Sequence, residues 1–400
     1  MAHLNGVKMV GVCSTWAVGV LFAGYLWFLF GIVWLPSNKL YQQGLVLLLW
    51  LPALVALFAL YKRLQPIWSA NKVFLGLLLA LLAWAALSTL WTVAEAPLKE
   101  LKRVVYVALF LAFFLILAEL RSAFVWKGLG LAFVALALSC PVSFYLFYVQ
   151  GMNPLEARLD GMGQAGHPIL GAYVMALAVM WGLQFIPRQP WQRLVWAGLI
   201  SVLIAFVVLG QSRGAMLALA LALLSMPLWN GGRIAWLVAL ITCALAVVGA
   251  VMFMPFILQR GFSYRPEIFA SSVQMIMDNP WLGLGVGADY RVYTANFPDG
   301  FDHSHNAFTH AAIELGIPGL LLWSGLWLAA FRVAWLERFS WEGRLLLSSL
   351  LVSFVALQFD AASLWDSPRA EWFVTWLPIG LALSLAARRC RSDHGIERLG

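Results

Sequence analysis

Charge is what this 400-residue chain has least of: only 11% of its residues are Asp, Glu, Lys or Arg, against ~25% in soluble globular domains. Set beside 62% hydrophobic residues and a mean hydropathy of +0.85, that scarcity excludes a water-soluble globule and a disordered chain. Cysteine is scarce too. Cys13, Cys140, Cys243 and Cys390 form no CxxC pair, so neither a disulfide framework nor a cysteine metal site is indicated, and they read as small apolar fillers. No cleavable signal is visible, since the first apolar run is long enough to span and lacks a small-residue cleavage site. Internal repeats and matched Gly/Pro-broken helices are missing, which tells against an inverted-repeat transporter. Ionisable residues are nearly absent from helix centres, which tells against a proton relay at the membrane midplane.

What remains is apolar runs, and at ~20 residues per crossing the composition sets a ceiling of about twelve. The runs reach it. Helices are expected near 10–35, 44–61, 73–92, 104–120, 128–150, 168–186, 194–211, 214–230, 234–256, 309–331, 345–359 and 371–387. The fold class is therefore an all-α polytopic membrane protein. The expected division is 1–256 with helices one to nine, 257–308 as a large outer loop carrying short helices, and 309–400 with helices ten to twelve and a tail.

The formal net charge of +8 resolves into a topology signal. With both termini in the cytoplasm, sixteen of the 26 Lys and Arg fall on inner segments and ten on outer ones. Adding the acids makes the inner face about +11 and the outer face about −3. The positive balance thus faces anionic lipid, and a nucleic-acid partner is excluded. Ten outer cations against that bias call for another explanation.

Polar chemistry gathers on the outer side. Within the loop, 266–277 reads as an amphipathic helix with Pro266 in its first turn, stopped by Asp278-Asn279-Pro280. Gly283-Leu284-Gly285-Val286-Gly287 lacks the βαβ frame of a nucleotide site and reads as turns packing the loop back. The strongest cluster is Asp302-His303-Ser304-His305-Asn306-Ala307-Phe308-Thr309-His310, running into Glu314 and Gly316-Ile317-Pro318-Gly319. With Ser304 as N-cap, His305 and Thr309 share one helix face, and Asn306, His310 and Glu314 the next. An imidazole at a helix N-terminus is kept neutral by the dipole and suits a general base. The alternatives are that these polar groups merely cap the helix, or that His303 and His305 with Asp302 contribute to a metal site.

Three arginines stand out. Arg213 lies in Gly210-Gln211-Ser212-Arg213-Gly214 between two apolar runs, Arg265 in Tyr264-Arg265-Pro266-Glu267, and Arg158 in Glu156-Ala157-Arg158-Leu159-Asp160. Guanidinium groups bind phosphates bidentately and stay charged at a dehydrated interface, so their convergence would hold a diphosphate. The simpler readings pair Arg265 with Glu267, and Arg158 with Glu156 or Asp160. Lys99, Lys102 and Arg103 form a further basic patch, suited to a lipid phosphate or a headgroup.

These residues resemble the bacterial O-antigen ligases, within the wider O-antigen ligase/polymerase family of membrane glycosyltransferases. The resemblance rests on His305-Asn306 followed by Gly316-Ile317-Pro318-Gly319, on Ser212-Arg213-Gly214, on Arg265 ahead of Asp278-Asn279-Pro280-Trp281-Leu282-Gly283-Leu284-Gly285, and on Leu90-Trp91 before the basic patch. It implies a glycosyltransferase-C-like membrane fold with the large loop in the periplasm, in the inner membrane of a Gram-negative bacterium. It implies transfer of polysaccharide from undecaprenyl diphosphate to a sugar hydroxyl of lipid A-core, with inversion and with no metal or other cofactor. His305 would be the base with His303 as fallback and Asn306 beside it, while Arg213, Arg265, Arg158, Lys99, Lys102 and Arg103 would serve the diphosphate. A polymerase with the same donor and a lipid-linked sugar transporter are the rival readings.

Overall fold

The computed structural model describes residues 2–252, 254, 261, 263–360 and 364–393, with side chains described from residue 17 to residue 390. The expected boundary at 256/257, Arg260 and the side chain of Cys13 lie outside that description.

Helices dominate. In chain order they are α1 (Ala2–Trp34), α2 (Asn38–Leu45), α3 (Leu51–Ala70), α4 (Lys72–Ser88), α5 (Pro97–Phe144), α6 (Pro168–Gly182), α7 (Pro190–Leu209), α8 (Arg213–Ser225), α9 (Arg233–Met252), α10 (Arg265–Asp278), α11 (Ala307–Leu336), α12 (Trp341–Phe359), α13 (Glu371–Val374) and α14 (Trp376–Asp393). A short antiparallel hairpin, β1 (Val292–Thr294) with β2 (Phe297–Phe301), is added to the all-α expectation and pairs Val292 with Phe301 and Thr294 with Phe297. Among the described residues seven helices are long and apolar enough to cross a membrane: Ala17–Trp34, Asn38–Ala70, Pro97–Gln150, Pro190–Leu209, Arg233–Met252, Ala307–Leu336 and Trp341–Phe359. Lys72–Ser88, Pro168–Gly182 and Arg213–Leu228 are shorter apolar helices. The least covered of these seven is α9, whose apolar stretch is only 11% buried; a helix that apolar and that uncovered belongs against lipid. This is a multi-pass membrane protein.

The longest helix is two helices. Arg121 leaves the helical region (φ −159°, ψ 80°), and α1 packs against both halves of α5. Phe28 packs against Phe110, and Tyr25 against Phe113 and Phe114, so α1 runs against the first half. Phe22 stacks on Phe124, Tyr25 abuts Gly128, and the Trp34 indole donates to the Ala135 carbonyl, so α1 runs with the second half. The chain therefore doubles back at Arg121, matching the separate apolar runs at 104–120 and 128–150.

Helix α11 breaks at Gly316 (φ 68°, ψ −175°), a left-handed value that suits glycine. Pro318 has no N–H to offer the Glu314 carbonyl, and the Ile317 N–H turns to the Pro280 carbonyl at 2.7 Å. The carbonyls so released are taken by the glycine-rich segment: Leu284 N donates to Ile313 O and Gly285 N to Glu314 O, both at 2.8 Å. The Trp84 indole takes the Leu315 carbonyl at 2.8 Å. The early loop seals the other side, with Val93 N donating to Leu284 O, the Trp91 indole to Leu282 O and the Thr92 hydroxyl to Val286 O. The glycines thus dock the outer loop on a broken helix, as the turn reading anticipates.

Candidate active site

The site begins at the start of α11. Two residues in the sequence can cap this helix, and the one that does is Asn306, whose Oδ1 accepts from Phe308 N (2.8 Å) and Thr309 N (3.2 Å). Ser304, the expected cap, instead donates its hydroxyl to the Asn306 carbonyl at 3.0 Å. The two-residue shift corrects the placement of His305. It lies ahead of the helix in left-handed backbone (φ 53°) rather than stacked below Thr309. That conformation is uncommon for histidine, and the Arg265 guanidinium holds it by donating to the His305 carbonyl at 3.2 Å. Asn306 is fixed in turn by its Nδ2 donating to Gln358 at 3.1 Å.

Of the neighbouring stripe, Asn306 is the cap rather than a helical member, while His310 and Glu314 share a buried face and serve the scaffold. The Tyr290 hydroxyl and His310 Nδ1 share a 2.6 Å hydrogen bond, His310 Nε2 lies 3.4 Å from Glu314, and Glu314 accepts from Gly287 N at 2.8 Å.

Arg265 opens α10, and its partner is not Glu267, which accepts from Asn296. Its guanidinium donates at 2.8 Å to Asp360 and, from the other terminal nitrogen, to the Phe359 carbonyl. His305 Nδ1 is 3.5 Å from the same Asp360 oxygen, so one carboxylate at the end of α12 faces both the arginine and the histidine. Burial works against the charged form of Asp360, but His305 and the Arg265 guanidinium outweigh it and hold the carboxyl below its ordinary value. The imidazole and guanidinium are 21% and 29% exposed, open enough to meet a substrate. Nothing in the sequence near Asp360 marks it; its signal would have been a lone acid ending an apolar run.

Arg213 joins the same loop. It donates to the Gly261 carbonyl and the Ser263 hydroxyl, both at 2.8 Å, the latter two residues ahead of Arg265. Ser212 caps α8, and Gly214 lies so close to the Tyr173 hydroxyl and Phe359 that a side chain there would collide with the tyrosine. That contact seats the first turn of α8 against α6 and the end of α12. Arg158 approaches from the side, its Nε donating to Gly210 O at 3.2 Å, while Gln211 donates to Glu156 O. His167 caps α6; burial lowers its pKa, with Asp360 opposing and Arg158 reinforcing the shift. Residues at the starts of α10 and α11 thus meet Asp360 directly, and the starts of α6 and α8 lie nearby through His167 and the Gly214–Phe359 contact; helix N-termini carry the positive end of the dipole.

The early basic patch is placed differently. Arg103 binds Glu100 at 2.7 Å and Asp366 at 2.9 Å, and Lys102 lies over the Tyr106 ring at 5.9 Å. The structure joins Arg265, His303 and His305 beside Asp360 with Asn306 next to them, ties Arg213 to the loop ahead of Arg265, sets Arg158 on Gly210, and turns Arg103 toward the Glu100–Asp366 pair.

His303 packs on His305 with ring centroids 3.9 Å apart, and its Nδ1 lies 2.6 Å from Asp302. Burial, then the adjacent His305, lowers the His303 pKa against the pull of Asp302. Asp302, His303 and His305 each present one ligand atom, and the three lie within 4.8 Å of one another. The metal alternative raised by the His-x-His spacing thus has its donors in one place.

Comparison with known proteins places the chain beside one family. Residues 198–324, which include Arg213, Arg265, His303, His305 and the α11 break, match the family model described as O-antigen ligase. The chain is also 27% identical over 376 residues to the O-antigen ligase of Pseudomonas aeruginosa, covering 94% of this chain and 92% of that one. The chain is therefore similar to an O-antigen ligase along nearly its whole length, and the stretch that matches the O-antigen ligase family model spans Ser212-Arg213-Gly214, His305-Asn306 and the α11 break.

Proposed function

We propose that this protein is a polysaccharide ligase of lipopolysaccharide biosynthesis, moving a glycan from undecaprenyl diphosphate to a sugar hydroxyl of lipid A-core at the periplasmic face of the inner membrane. The observation that carries the reading is the Asp360 carboxylate fixing Arg265 at 2.8 Å while facing His305 at 3.5 Å, with Arg213 bound to the same loop. His305 accepts the proton of the acceptor hydroxyl as its oxygen attacks the anomeric carbon, and undecaprenyl diphosphate departs from the opposite face with inversion. Asn306, as cap, sets the position from which His305 works, and His303 packs the ring. Arg213, Arg265 and the surrounding helix N-termini stabilise the charge growing on the leaving diphosphate, with Arg158 at the edge, and on this reading the chemistry needs no metal. Lys99 and Lys102 meet lipid headgroups, and Arg103 ties the early loop to Asp366.

The test is reconstitution in liposomes with undecaprenyl-diphosphate-linked polysaccharide and lipid A-core. Glycosylated lipid A-core is the expected product. A longer undecaprenyl-linked chain, or movement of donor across the bilayer without bond formation, would overturn the proposal.

A further inference from the structure

The arrangement of Asp302, His303 and His305 has chemistry beyond proton transfer. Their three ligand atoms, two imidazole nitrogens and a carboxylate oxygen, lie within 4.8 Å of one another. Tetrahedral ligands at about 2.1 Å from a Zn²⁺ ion are about 3.4 Å apart, so closure requires only a modest adjustment. The ligand able to make it is Asp302, whose side chain is 82% exposed. The two imidazoles already lie against one another, ring centroids 3.9 Å apart, with His305 in left-handed backbone, and opening that contact lets both nitrogens face one ion. Three protein donors leave one position for water or substrate, as in open zinc sites. The Arg265 guanidinium, which binds the His305 carbonyl, opposes a cation here, and Asp360, at 3.5 Å from His305, offsets it.

We infer that Asp302, His303 and His305 bind a transition-metal dication of the Zn²⁺ class, and that the bound ion silences the enzyme. An imidazole nitrogen that donates its lone pair to a metal has none left for the acceptor proton, so metal occupancy and base catalysis exclude one another at His305. The silencing half rests on the proposed role of His305; the binding half does not.

Wild-type protein in detergent, stripped with EDTA and dialysed, is titrated with zinc chloride by calorimetry, and ligation is followed over the same zinc range. One site is expected, with binding weakened about tenfold or more in Asp302→Ala and His303→Ala. Ligation should fall as the site fills and return on adding EDTA, while Asp302→Ala should keep its basal rate and resist zinc. Absent stoichiometric uptake, or uptake equally tight in both variants, overturns the site and leaves the His305 role standing. Saturable uptake lost in both variants, with ligation undiminished at saturation, overturns the silencing and the base role together.

Discussion

Replacing Asp360 by Asn removes a charge while keeping an oxygen in nearly the same place, which isolates what the carboxylate does. In the native site it receives the Arg265 guanidinium at 2.8 Å and faces His305 at 3.5 Å, with only 13% of its side chain exposed. A hydrogen bond to a charged group contributes about 1.5–3 kcal/mol net and a neutral one about 0.5–1.5. The substitution therefore loosens Arg265 by about 1–2 kcal/mol, which is about 5- to 30-fold in rate at 1.36 kcal/mol per tenfold. Initial ligation rates with varied donor measure it, and the loss should fall on both kcat and donor KM, because Arg265 and His305 are loosened together. Stability gives a second reading. The Asp360 carboxyl titrates lower folded than unfolded, so its contribution is fully present above its ordinary value near 3.9. It is lost as pH falls through the lower folded value. Asp360→Asn should remove that part of the acid limb of thermal unfolding. A variant within twofold of wild type in rate, with an unchanged acid limb, would refute the reasoning.

Other substitutions separate site from scaffold. Arg213→Glu and Arg265→Glu should each weaken donor binding about 10- to 150-fold, the equivalent of 1.5–3 kcal/mol for a lost charge-assisted contact, measured by donor competition; unchanged affinity in both would remove the diphosphate assignment. Arg103→Ala should lower the melting temperature, leaving buried Glu100 unpaired at a cost of about 1–3 kcal/mol, with donor affinity nearly intact. Gly316→Ala should destabilise by about 1–3 kcal/mol, since φ is 68° and the added carbon would meet the Trp281 carbonyl; calorimetric or fluorescence melting tests it.

Much of this was legible in the chain because membrane segments advertise themselves. Each expected apolar run is helical through most of its described length, and the doubling back at Arg121 falls between two of them. The loop helix was readable from Pro266 at its start and Asp278-Asn279-Pro280 at its end. What escaped depended on distance in sequence or on a choice between equals. Ser304 and Asn306 are both good caps, and only the folded backbone selects Asn306. Asp360 lies 95 residues from Arg265, and no local pattern links them. Arg103 looked like its lysine neighbours, yet Asp366, 263 residues on, claims it. The glycine-rich turns were visible, but their docking depends on carbonyls freed by Gly316 and Pro318 in another helix.

The central claim is that His305 accepts the acceptor's proton while the arginines hold the donor, and it is tested most directly by His305→Ala in a purified ligation assay with donor affinity measured alongside. The account predicts a rate lowered about 10²- to 10⁴-fold with donor affinity within a few-fold of wild type. A near wild-type rate would contradict it.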